Sequence, residues 1–127
     1  MSPPKSTIEN RAWRILIVED EPMLAFVLEE LLIAAGYGVV GVASRLETAL
    51  SVITDDTCDA VILDANLAGV SAAPVALALA SRGIPFLVLS GYSAAQQDKA
   101  FSEAPYLQKP CRPERITQAL RDILANH

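Results

Sequence analysis

Ile15-Leu16-Ile17-Val18-Glu19-Asp20-Glu21-Pro22 is the stretch that decides the fold. Its first four residues are apolar without alternation and mostly β-branched, the pattern of a short strand covered on both faces, as in a parallel sheet between two layers of helix. The acidic run Glu19-Asp20-Glu21 ends that strand, and Pro22 fits a first helical position behind acidic residues. Leu24, Val27, Leu28, Leu31, Leu32 and Ala35 then recur at helical spacing before Gly36 supplies a left-handed stop.

Outward from this unit the same alternation repeats. Residues 37–43 predict a strand, and residues 46–54 a helix with Leu46, Ala49, Leu50 and Ile53 on one face. A third strand follows at 60–63, stopped by Asp64, then an alanine-rich helix at 74–80 ended by Gly83. Residues 85–89 predict a fourth strand with Ser90-Gly91-Tyr92 as its exit turn, and the polar residues 94–101 a fourth helix. A last strand at 106–108 precedes a helix opened by Pro113, with Ile116, Ala119, Leu120, Ile123 and Leu124 on its apolar face. Five strands and five helices in strict alternation imply right-handed crossovers and an α/β parallel sheet covered on both faces, and leave the strand order open. Residues 1–12, with Pro3, Pro4, Ser6 and Thr7 and no apolar period, predict a flexible N-terminal tail, and residues 13–127 one domain.

Composition narrows the class. At 127 residues, 52% apolar and 20% charged, the chain can bury a core without metal or disulfide staples, and the expectation from its length is one domain without a separate output domain. Ten basic residues against 15 acidic ones give a net charge of -5, which repels a polyphosphate backbone, so nucleic acid is not an expected partner. Cys58 and Cys111 share no metal-ligand spacing, so they predict small buried or half-buried thiols. No apolar run reaches the ~18 residues of a membrane span and the N-terminus lacks a signal pattern, so the expectation is a cytoplasmic protein without membrane contact.

The polar residues at the strand ends carry the chemistry. Glu19 and Asp20 end the first strand, Asp64 the third, Ser90 the fourth, and Lys109 follows the fifth. Singly, each is ordinary: a helix cap, a turn, a solvated lysine. In a parallel sheet, however, ligands bind outside the carboxyl ends of the strands, so all five converge on one crevice. Carboxylates brought together there repel unless a cation joins them, and a hard divalent ion such as Mg²⁺ takes carboxylates, carbonyls and waters. An ammonium and a hydroxyl beside that ion complete a site for a tetrahedral dianion, a phosphoryl group. His127, as the terminal residue, is a poor catalytic base.

The segments Ile15 to Pro22, Val61-Ile62-Leu63-Asp64, Leu87-Val88-Leu89-Ser90-Gly91-Tyr92 and Tyr106-Leu107-Gln108-Lys109-Pro110 jointly resemble the receiver domain of two-component response regulators over nearly all of residues 14–127. The resemblance implies a CheY-like, flavodoxin-like doubly wound five-stranded sheet of order 2-1-3-4-5 and a cis Lys109-Pro110 bond. It implies that Asp64 is the phosphoacceptor, that Glu19, Asp20, Asp64 and the Asn66 carbonyl hold Mg²⁺, and that Ser90 and Lys109 contact the phosphoryl group. Ser90 and Tyr106 match the family's switch positions, and Asn66 and Tyr92 the two that control dephosphorylation.

Asp64-Ala65-Asn66-Leu67-Ala68-Gly69 lacks the family's usual proline. Together with Pro74-Val75-Ala76, Gly83-Ile84-Pro85-Phe86 and Ser90-Gly91-Tyr92, it is similar to a subgroup of stand-alone receivers found in alphaproteobacteria, in which threonine normally stands where Ser90 does. The partners so implied are a sensor histidine kinase or histidine phosphotransferase and a downstream protein, with the chain signalling by contact or acting as a phosphate sink. The other reading, a small-molecule enzyme on a flavodoxin-like fold, would call for a cofactor loop or further acid or base, and the chain has no GxGxxG or Walker A motif.

Overall fold

Four consecutive buried residues, Ile15 to Val18, each at most 1% exposed, form the heart of the sheet. The computed structural model describes residues 12–55, 57–93 and 98–126. The expected tail (apart from residue 12), residues 94–97 of the fourth helix and His127 lie outside the described residues. Strand β1 (Arg14–Val18) leads into helix α1 (Pro22–Ala34), β2 (Gly38–Ala43), α2 (Leu46–Thr54) and β3 (Ala60–Asp64). A short hairpin of β4 (Asn66–Leu67) and β5 (Val70–Ser71) follows, then α3 (Ala73–Arg82), β6 (Phe86–Ser90), β7 (Tyr106–Gln108) and α4 (Pro113–Ala125). The five long-range strands pair in parallel in the order β2-β1-β3-β6-β7, which is 2-1-3-4-5 when these five alone are counted.

The absence of alternation in β1 has its cause in the layers. Leu16 and Val18 face a core completed by Ala49 and Ile53 of α2 and by Val75, Ala76 and Leu79 of α3. Ile15 and Ile17 face the opposite core, against Leu28 and Leu32 of α1 and Ile116 and Leu120 of α4. Each such side chain contributes about 1.5–3 kcal/mol by leaving water, so both faces of the strand must be apolar. Gly36 (φ 95°) and Gly83 (φ 70°) take the left-handed conformation that stops α1 and α3, as read from the sequence. Cys58 is buried and Cys111 half-buried, and the two do not form a disulfide.

Three expectations change. The residues expected as a fourth helix give, among those described, only a 3-10 turn at Lys99–Phe101, tied down by buried Phe101 and by Asp98, whose Oδ1 accepts the Ala100 N–H at 2.9 Å. The described residues therefore hold four α-helices. On α1 the buried stripe is Ala25, Leu28 and Leu32, while Val27 points to water at 48% exposure beside Met23 and Phe26. This helix is apolar nearly all round, so helical spacing alone could not choose the buried face.

The third change is the β4–β5 hairpin, in a segment where the sequence predicts no strand. Its register, Asn66↔Ser71 and Leu67↔Val70, leaves Ala68-Gly69 as a two-residue loop with φ of 50° and 84°. Two positive φ values define a type I′ turn, and holding an alanine there costs about 1 kcal/mol. Among the described helices none is long and apolar enough to cross a membrane.

Candidate functional site

Because the strands are parallel, their carboxyl ends share one edge, and four neighbours in the sheet deliver the expected residues to it. Glu19 and Asp20 follow β1, Asp64 ends β3, Ser90 ends β6, and Lys109 follows β7. The crevice lies at β1–β3, where the chain turns outward in opposite directions along the sheet. Glu19, Asp64 and Ser90 are buried. Lys109 is anchored by its own N–H, which donates to the Ser90 carbonyl at 2.7 Å, and the Lys109-Pro110 bond is cis, as the resemblance implies.

Lys109 Nζ lies 3.1 Å from Glu19 Oε1 and 3.4 Å from Asp64 Oδ2. The other Glu19 oxygen, Oε2, accepts the Glu21 N–H at 3.1 Å, which pins that buried carboxylate. Asp64 Oδ1 accepts the Asn66 N–H at 3.2 Å, and Asp20 Oδ2 accepts the Ala68 N–H at 3.0 Å. One carboxylate oxygen from each of Glu19, Asp20 and Asp64 lies within 4.8 Å of the others. Octahedral Mg²⁺ with bonds of about 2.1 Å spaces its ligands roughly 3 to 4 Å apart, so the donor set fits. Charge agrees: three carboxylates less one ammonium leave two negative charges when all are ionised, which one divalent ion balances.

Ser90 Oγ accepts the Tyr92 N–H at 3.1 Å, and the Tyr106 hydroxyl donates to the Tyr92 carbonyl at 2.9 Å. Tyr92 thus bridges the two expected switch residues through its backbone, while its side chain stands 57% exposed. Sequence reading missed the Ala68 N–H as a site component, because a backbone donor leaves no mark in side-chain identity.

Burial first, and then the Glu19 carboxylate, push the Asp64 pKa up to about 7, against the pull of Lys109 and of the Asn66 N–H. For Lys109, burial acts downward, but Asp64 and Glu19 outweigh it and hold the ammonium above its ordinary value. An Asp64 pKa raised above the ~3.9 of an unfolded chain means that the metal-free fold binds the extra proton between those values. That contribution to stability is full below about pH 4 and is lost as pH rises through 7. Discounted for the solvent that reaches the site, it is on the order of 2 kcal/mol. In metal-free thermal melts from pH 5 to 8, wild type should therefore lose Tm relative to Asp64→Asn; parallel curves would contradict the assignment.

The geometry has counterparts among known proteins. The response regulator receiver domain family model matches residues 15–121. The solution structure of SdrG from Sphingomonas melonis Fr1 is 41% identical, covering 89% of this chain and 97% of that one, with a TM-score of 0.77. The BeF3-activated conformation of SdrG from Pseudomonas melonis Fr1 is 42% identical over 87% of this chain and 95% of that one, with a TM-score of 0.74. A putative response regulator from Chloroflexus aurantiacus J-10-fl is 31% identical over 91% and 99% of the two chains, with a TM-score of 0.78. No curated protein matches the sequence.

Proposed function

The chain belongs to the response regulator receiver domains, a signalling family, and from that premise we propose that it accepts a phosphoryl group on Asp64 in a Mg²⁺-dependent reaction. The donor is the phosphohistidine of a sensor histidine kinase or histidine phosphotransferase. The observation that carries this reading is the Lys109 ammonium 3.4 Å from the Asp64 carboxylate, at the strand edge that also gathers Glu19 and Asp20.

An ionised Asp64 oxygen attacks phosphorus in line with the departing nitrogen. The P–N bond breaks, imidazole leaves, and an acyl phosphate remains. Lys109 offsets the negative charge on the transferred group, and the Ser90 hydroxyl contacts one of its oxygens. Mg²⁺, held by Glu19, Asp20, Asp64 and the Asn66 carbonyl, would supply the rest of that neutralisation. Because Tyr92 is bonded to both Ser90 Oγ and the Tyr106 hydroxyl, a new contact at Ser90 reaches Tyr106 through one residue. That a relative 42% identical has been solved in a BeF3-activated conformation supports the reading.

The output is a protein contact, or the draining of phosphate from a kinase as a sink, in the cytoplasm; the net charge of -5 works against direct nucleic-acid binding. Incubation with acetyl phosphate and Mg²⁺, followed by intact mass, tests the reading. One added phosphoryl group, absent when the metal is chelated, is expected, and no gain under either condition would refute it.

The lifetime of the acyl phosphate depends on water reaching phosphorus opposite the Asp64 oxygen. On this reading Asn66 orients that water, and the Tyr92 ring, solvent-exposed here, folds over the phosphoryl group and excludes it. Phosphorylated Tyr92→Ala should then decay several-fold faster than wild type at matched Mg²⁺ and pH. Equal or slower decay would remove Tyr92 from lifetime control.

A further inference from the structure

Between the first strand's acidic pair and the hairpin lies a contact that joins residues 48 apart in sequence: the Ala68 N–H donates to Asp20 Oδ2 at 3.0 Å. Ala68 is the non-glycine residue with positive φ among those described, and it occupies the first position of the Ala68-Gly69 turn. In that left-handed conformation it offers its N–H to a carboxylate. The base of the same hairpin is tied to Asp64 through the Asn66 N–H at 3.2 Å. The hairpin therefore grips two of the three carboxylates whose oxygens cluster within 4.8 Å, one at its base and one at its tip.

We propose that the Ala68-Gly69 turn is a positioning element for the divalent cation: its N–H occupies one Asp20 oxygen, fixes that side chain's rotamer, and leaves the other oxygen for the ion. A hydrogen bond to an ionised carboxylate is among the stronger ones available. It takes up in advance the side-chain ordering that cation binding would otherwise have to impose. Through linkage, whatever favours the turn favours the bound ion, and the ion in turn favours the turn. The proposal rests on the Mg²⁺ reading of the site and names a backbone group that holds a ligand without touching the ion.

Residue 68 can be varied to push the turn either way while keeping its N–H. Asparagine tolerates positive φ, and Asn-Gly is the preferred pair for a type I′ turn, whereas a β-branched residue resists it. Calorimetric titration of the whole chain with Mg²⁺ should give Ala68→Asn an affinity equal to or above wild type, and Ala68→Val a several-fold weaker one. Amide exchange adds a reading that a merely structural role would not move: protection of the Ala68 N–H should increase when Mg²⁺ is added to wild type. If wild type and Ala68→Val bind Mg²⁺ equally, or if Mg²⁺ lowers Ala68 protection because the ion takes Asp20 from the turn, the positioning role is overturned and the cation site survives. If wild type shows no Mg²⁺ binding at all, the underlying reading falls with it.

Discussion

Asp64→Asn should gain no phosphoryl mass from acetyl phosphate under conditions in which wild type gains one group. The substitution removes the nucleophilic oxygen while keeping the shape of the side chain, so the lost chemistry is not confounded with a lost fold. Asp64 ends the central strand with Lys109 Nζ at 3.4 Å, and Glu19 and Asp20 are the carboxylates that share its cluster. All three carboxylates are held, Glu19 by Lys109 and the Glu21 N–H, Asp20 by the Ala68 N–H and Asp64 by Lys109 and the Asn66 N–H, so its place at the end of the central strand, and not freedom from partners, singles out Asp64. Intact mass of wild type and variant, treated side by side, decides the matter. A variant that still acquires one phosphoryl group would move the acceptor to another residue.

Lys109→Met should cost about 3 kcal/mol of metal-free stability, because it strands buried Glu19 without its cation. For a chain of this length that corresponds to a fall in Tm of roughly 10 °C. Methionine keeps most of the aliphatic stem, so the loss reports the charge more than the packing. The double variant Lys109→Met with Glu19→Gln separates the two: with Glu19 neutral, Asp64 is the one buried carboxylate that has lost the ammonium, and it takes up a proton readily, so much of the loss should be recovered. A single variant that melts within a degree or two of wild type would show that Glu19 is satisfied without Lys109. The single variant should also phosphorylate more slowly than wild type, since the ammonium that offsets the phosphoryl charge is gone.

These outcomes depend on features of unequal legibility. Strand β1 could be read from sequence because a strand covered on both faces must be apolar at every position, and Ile15 to Val18 are. The site followed from topology: in a parallel sheet, residues that end strands are neighbours however far apart they lie in the chain, so Glu19, Asp20, Asp64, Ser90 and Lys109 could be gathered in advance. The exposed face of α1 could not be assigned, since Val27, Met23 and Phe26 are as apolar as the residues that face the core. Nor could the polar segment before β7, whose described part is held by one buried phenylalanine.

What the chain determined by itself was the succession of the five parallel strands, the two-faced core and the identity of the clustered side chains, because apolar periodicity and strand-end position are local properties. Only the tertiary structure decided three further things: the hairpin at Asn66 to Ser71, the hold of the Ala68 N–H on Asp20, and the raised pKa of Asp64. Two-residue strands are too short to carry a period. A backbone donor is the same in every residue but proline. A pKa reports how much water and charge the rest of the fold brings to one carboxylate, and that is known only when the strands have been set side by side.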